Sequence, residues 1–138
     1  MNATMPVRTA APPRTAACAF LLMGVAAALR VLKLRRTIAL AYRVAGDVDE
    51  GRADDALVRR TAKQVVRAAA FFPGRAECLE QSIVLLVMLR RRGLAAELRL
   101  GVQPMPFTAH AWVELHGRPV NEVEDFVARL APFQSLGG

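Results

Sequence analysis

Few side chains in this sequence can make and break covalent bonds. Cys78 and His110 stand 32 positions apart, and within 15 residues of the histidine come Asn121, Glu122 and Asp125. A thiol is a weak nucleophile until it loses its proton, and an imidazole can take that proton and later return it to a leaving amine. A carboxylate or amide beside the ring then fixes its tautomer. In that chain order the residues form a Cys-His-(Glu/Asn) set suited to acyl transfer from a peptide bond. Gln81 and Ser82, one helical turn beyond Cys78, could help hold an oxyanion, and Trp112 could wall the site or fill the core. Two Cys and two His at scattered spacings make no zinc cluster, so no metal is expected, and the chemistry calls for no cofactor.

The elements that must position these groups can be read from pattern. After Pro73-Gly74 comes RAECLEQSIVLLVMLRRRG, apolar on every side from Ile83 to Leu89, as in a helix buried within a larger fold. A start at Gly74 or Arg75 puts Cys78 in the first turns, where unpaired N–H groups and the helix dipole favour a thiolate, against the opposing charges of Glu77 and Glu80. Arg90, Arg91 and Arg92 suit the negative end of the dipole, and Gly93 supplies the left-handed stop. A strand follows from Leu94 to Val102, then a loop with Pro104 and Pro106. A second strand from Thr108 to Leu115 sets His110, Trp112 and Glu114 on one face. A three-residue loop, Leu115-His116-Gly117, is the expected hairpin, and it places Glu122 opposite His110. A two-residue loop, His116-Gly117, would demand positive φ at His116 and put Asn121 on that face instead.

Upstream, residues 1–15 carry three prolines and read as a flexible tail. One long helix is expected from about Ala16 to Val44, forming an N-terminal extension over residues 16–46 of a single domain that runs from 16 to 138. Its uncharged run Ala16 to Leu29 is too short to span a bilayer, and a secretory signal or a surface-lying amphipathic helix are the other readings. Cys18 within it reads as a small buried hydrophobe. A second helix, capped by Asp54 or Asp55, runs to about Phe72 with Leu57, Val58, Ala62, Val65, Val66 and Ala69 as its apolar face. With 138 residues, 54% apolar and 22% charged, the chain is expected to form one α+β domain, its helices packed on a small antiparallel sheet. The net charge of +7 favours anionic partners, but the basic residues are spread along helices with few interleaved aromatics, which argues against nucleic acid. Two cysteines in a chain able to bury its own core suggest no disulfide and a reducing cytoplasm.

The segments CLEQSIVLLVMLRRRGLAAELRLGV and PFTAHAWVELHGRPVNE resemble the transglutaminase-like leader peptidases of lasso-peptide biosynthesis, over roughly residues 35–125. That resemblance implies a transglutaminase-like, papain-like core with Cys78 as nucleophile and His110 as base. The family usually has an aspartate on the next strand. Glu122 stands at the matching place, leaving the third role open between Glu122, Asn121 and Asp125. Further implied are a ribosomally made precursor peptide as substrate, a separate winged-helix-like leader-recognition protein as partner, and a lasso cyclase acting downstream, since the length leaves room only for the peptidase half. A partner on the N-terminal helix would cover its apolar run as well as a membrane would, and the resemblance favours the partner. The competing readings are a transglutaminase- or acyltransferase-like enzyme using the same Cys-His pair, and a non-enzymatic basic domain that binds nucleic acid or a membrane surface.

Overall fold

The most apolar stretch of the chain forms the middle of a helix around which the other elements pack. In this computed structural model, residues 11–48, 54–70, 78–105 and 107–132 are described. The elements in chain order are α1 (Ala11–Ala45), α2 (Asp55–Ala70), α3 (Cys78–Arg91), β1 (Ala96–Pro104), β2 (Phe107–Leu115), β3 (Arg118–Pro119), α4 (Glu124–Ala128) and β4 (Ala131–Pro132). The fold is α+β. In α3 the run Ser82–Val87 and Leu89 are buried, and a helix apolar all round needs cover on every side. α1, α2 and the β1–β2 sheet supply it.

The end of α3 is a Schellman motif. Gly93 has φ +86° and donates to Arg90 O at 2.9 Å, while Leu94 N donates to Leu89 O at 3.1 Å. Arginines at this end join elements together. Arg90 lies 4.8 Å over the Tyr42 ring and donates to Ala96 O, and Arg91 donates to Val44 O near the end of α1. Segment 71–77, which includes the expected Phe71-Phe72-Pro73-Gly74 stop and the Gly74 or Arg75 start, lies outside the described residues.

α1 begins at Ala11, inside the segment expected to be a tail, with Pro12 and Pro13 in the first turn, where no intrahelical N–H is needed. It is also not one continuous rod. Lys33 breaks it at φ 66°, ψ 173°, a region occupied almost only by glycine. The break lets both halves reach one core: Cys18 and Leu22 are buried from the first, and Ile38, Ala41 and Ala45 from the second. The Cys18 thiol donates to Met88 Sδ at 3.2 Å. In α2, Asp54 Oδ1 accepts from Leu57 N at 3.1 Å as the N-cap. The buried stripe is Val58, Thr61, Val65 and Ala68, with Leu57, Ala62 and Ala69 packed against the same core, so of the face expected Val66 alone is exposed.

The sheet is antiparallel in the order β3-β2-β1-β4. Its hairpin departs from the expected three-residue loop: Leu115 pairs Arg118 and Glu114 pairs Pro119, leaving His116-Gly117 as a two-residue turn with φ of 53° and 79°. Positive φ at both positions is the type I′ geometry whose twist matches the strands. Leu115 is the physical reason. It pairs Ala96 and is buried in the core, and a three-residue loop would draw it into the turn. The C-terminal pieces α4 and β4 were not anticipated; β4 returns to β1 through Gly101↔Pro132 and Val102↔Ala131. Where β4 does not reach, the Tyr42 hydroxyl accepts from Leu98 N at 2.9 Å.

Because Lys33 occupies a conformation suited to glycine, Lys33→Gly is expected to stabilise the fold by about 1 kcal/mol, read as a rise in thermal midpoint. An unchanged or lower midpoint would count against a strained break at that position.

Candidate active site

β2 separates two environments. Ala111, Val113 and Leu115 are buried with Ala96 and Leu98 of β1, on the face that contributes to the core with α3, while His110, Trp112 and Glu114 point the other way. On that second face Gly101 pairs with His110. A Cβ at Gly101 would lie 3.0 Å from Trp112 Cη2 and 3.0 Å from Leu130 Cβ, so the missing side chain is the space the indole occupies. Trp112 is only 3% exposed, and its Nε1 donates to Glu114 Oε2 at 2.9 Å. Glu114 in turn receives Arg99 Nε at 3.3 Å, and Arg99 also pairs Glu97 at 2.7 Å.

The indole thus fixed lies nearly parallel to the His110 ring, with centroids 6.5 Å apart and planes 20° apart. Phe126 of α4 meets the same ring edge-on at 5.2 Å. His110 Nε2 lies 2.5 Å from Glu122 Oε2, and Glu122 Oε1 accepts from Val123 N at 3.0 Å. With Nε2 engaged by the carboxylate, Nδ1 is the ring nitrogen left to exchange a proton with another group.

Glu122 does not reach the histidine as a cross-strand partner. Val120 N donates to Val113 O at 2.8 Å, and continuing that ladder would set Asn121 opposite Trp112. Instead the Asn121 side chain takes over the pairing. Its Oδ1 accepts from Val113 N at 2.8 Å, and its Nδ2 donates to Ser82 Oγ at 3.0 Å. Ser82 Oγ in turn donates a hydrogen bond to Ala111 O at 3.1 Å. The chain bends away from β2 over residues 120–122, and Glu122, freed from strand alternation, turns to the imidazole.

Cys78 opens the described part of α3, four residues before Ser82, so the two share a helix face one turn apart. The Ser82 contact to Ala111 therefore ties the turn that follows the sulfur to the strand residue next to His110. Cys78 is half-buried and not in a disulfide. Gln81 is half-buried on the same helix, and Asp125 is exposed on α4. Ser82, Asn121 and Trp112, considered as oxyanion or substrate groups, are held in internal hydrogen bonds here. The other cysteine is in a different setting: burial pushes the Cys18 thiol pKa up, against the smaller opposing effect of the Arg92 guanidinium.

Sequence reasoning missed Phe126, Leu130 and the Arg99–Glu114 support. Gly101 did carry a signal, because a glycine inside an alternating strand often marks a close approach.

Gly101→Val should displace Trp112 and cost about 1–3 kcal/mol in chemical denaturation. Ser82→Ala, which strips Ala111 O and Asn121 Nδ2 of a buried partner, should cost a similar amount, about 1–3 kcal/mol. A loss under a few tenths of a kcal/mol in either variant would contradict the packing described.

Residues 21–135 match the sequence pattern of the Transglutaminase-like superfamily. A stretch of 57 residues is 33% identical to the microcin J25-processing protein McjB of Escherichia coli, covering 41% of this chain and 27% of that protein. The aligned stretch thus spans about a quarter of that relative's length. No solved structure gives a significant match. The matched span includes Cys78, His110 and Glu122 together with every strand that carries or supports them, and on that ground the chain belongs to the transglutaminase-like superfamily.

Proposed function

We propose that this chain is a cysteine peptidase that removes the leader from a ribosomally made lasso-peptide precursor. Cys78 is the nucleophile in this reading, His110 the base, and Glu122 the residue that orients the imidazole. The observation that carries it is the His110 Nε2 contact to Glu122, which leaves Nδ1 for a thiol, on a strand tied through Ser82 to the helix of Cys78. The superfamily match and a relative named for processing microcin J25 support the same reading.

In the reaction, Nδ1 takes the Cys78 proton as Sγ attacks the scissile carbonyl, giving a thiolate-derived tetrahedral adduct and an imidazolium paired with Glu122. Backbone N–H groups early in α3, with Gln81 nearby, would receive the oxyanion. The imidazolium then protonates the leaving amine, which departs and leaves the acyl group on sulfur. A water, deprotonated by His110, hydrolyses the thioester and restores the thiol. Trp112 and Phe126 keep the ring oriented through both proton transfers. The partners in this scheme are the precursor peptide, a separate winged-helix-like protein that recognises the leader, and a lasso cyclase that uses the freed amine.

The test is leader cleavage by the chain with its recognition protein and precursor, followed by mass spectrometry. Cys78→Ala and His110→Ala should each abolish product while the fold persists. Glu122→Gln should lower kcat by about 10²–10³, because an amide no longer stabilises the imidazolium. Iodoacetamide should label Cys78 and stop turnover, and His110→Ala should slow that labelling. Full cleavage by Cys78→Ala would overturn the assignment, and a product carrying an added amine in place of a free acid would move it to acyl transfer.

A further inference from the structure

The excess charge of this protein is confined to one region. Residues 1–46 hold seven Lys and Arg and no Asp or Glu, whereas residues 47–138 hold twelve of each sign, so the whole +7 belongs to the N-terminal third. Of these cations Arg30, Lys33, Arg35 and Arg36 crowd the break in α1, and all four are exposed.

The first half of α1 is apolar on its outward side as well as its inward side. Cys18 and Leu22 face the core. Ala16, Phe20, Met23, Ala27 and Val31, at spacings of four, seven, eleven and fifteen from the first, form an exposed stripe on the other side. Phe20 is 72% exposed and Val31 77%. An exposed helix face on a water-soluble domain normally carries polar residues, so this one lacks its expected solvent. Beside the stripe, an open apolar groove of about 360 Å³ runs between the two halves of α1, with Leu40 and Val44 on its far wall and Ile83 and Val87 of α3 also lining it.

By length and composition Ala16–Ala45 could cross a membrane. Against a crossing stand the four cations and the backbone break in the middle of the segment, and the burial of Ile38, Ala41 and Ala45 beyond the break; of the apolar window itself only 11% is buried. We propose that the outward face of α1 docks on the surface of an anionic lipid bilayer, with the Phe20–Val31 stripe entering the interface and Arg30, Lys33, Arg35 and Arg36 meeting the headgroups. Acid-free composition is the deciding observation. A helix whose apolar stripe ends in cations and which has no carboxylate to repel phosphates gains both attractions an interfacial helix uses. The basic side chains can lay their stems along the apolar surface while their charges stay at the headgroup level. This inference is independent of the peptidase reading, since no residue of the candidate active site takes part in it.

Flotation of the full chain with vesicles tests it, using phosphatidylcholine and phosphatidylglycerol mixed two to one against phosphatidylcholine alone. The chain should float with the mixed vesicles, float far less with the neutral ones, and be released by about 1 M salt. Phe20→Ser with Val31→Ser should lower binding at least tenfold, and Arg35→Gln with Arg36→Gln about thirty-fold, with thermal midpoints unchanged. Cys78→Ala should bind as the parent does, which separates this result from any failure of the catalytic assignment. Absence of flotation, or equal flotation with both vesicle types, would overturn the proposal. So would stripe variants that float normally but lose a complex with a recognition protein, or that lose a self-associated dimer, since the face would then belong to a protein.

Discussion

A single buried hydroxyl joins the helix that carries Cys78 to the strand that carries His110. Ser82 Oγ donates to Ala111 O and accepts from Asn121 Nδ2, while Asn121 Oδ1 receives Val113 N. Each bond adds only about 0.5–1.5 kcal/mol net, but leaving any of these groups unpaired in a buried place costs more than that. The junction therefore acts more through the arrangements it forbids than through the energy it adds. It holds α3 against β2 in one register and ends the β2–β3 ladder at Val120, and that early ending is what delivers Glu122 to the imidazole.

The two faces of β2 are used differently, and the alternation of side chains makes this possible. Small and branched residues at 111, 113 and 115 fill the core with α3, while 110, 112 and 114 build a polar and aromatic layer on the other side. That second layer is closed by the C-terminal pieces: Phe126 against the His110 ring and Leu130 over Gly101 beside the indole. An imidazole confined by an indole, a phenyl edge and a carboxylate has little freedom to rotate. Such confinement is what a group needs if it must present the same nitrogen in two successive proton transfers.

The N-terminal helix does two jobs with opposite surfaces. Its inward residues complete the cover of α3, and its outward residues leave an apolar, cation-ended face. The break at Lys33 reconciles the two, because a straight helix of 35 residues could not return its second half to the same core.

How much of this was legible beforehand differs from residue to residue. The all-apolar run of α3, the Gly93 stop, the Asp54 cap and the alternation of β2 follow from local chemistry, and the Cys, His and acidic candidates could be named from residue type and chain order. The break at Lys33 could not be read, because only packing against α3 forces a lysine into a glycine conformation. The hairpin register was misjudged for a related reason: positive φ at His116 costs little beside keeping Leu115 in the core. Glu122 illustrates the division most clearly. Its type and rough position are properties of the sequence, but its meeting with His110 depends on Asn121 leaving the ladder to satisfy Ser82, a choice made by groups 39 positions apart that only the folded chain brings together.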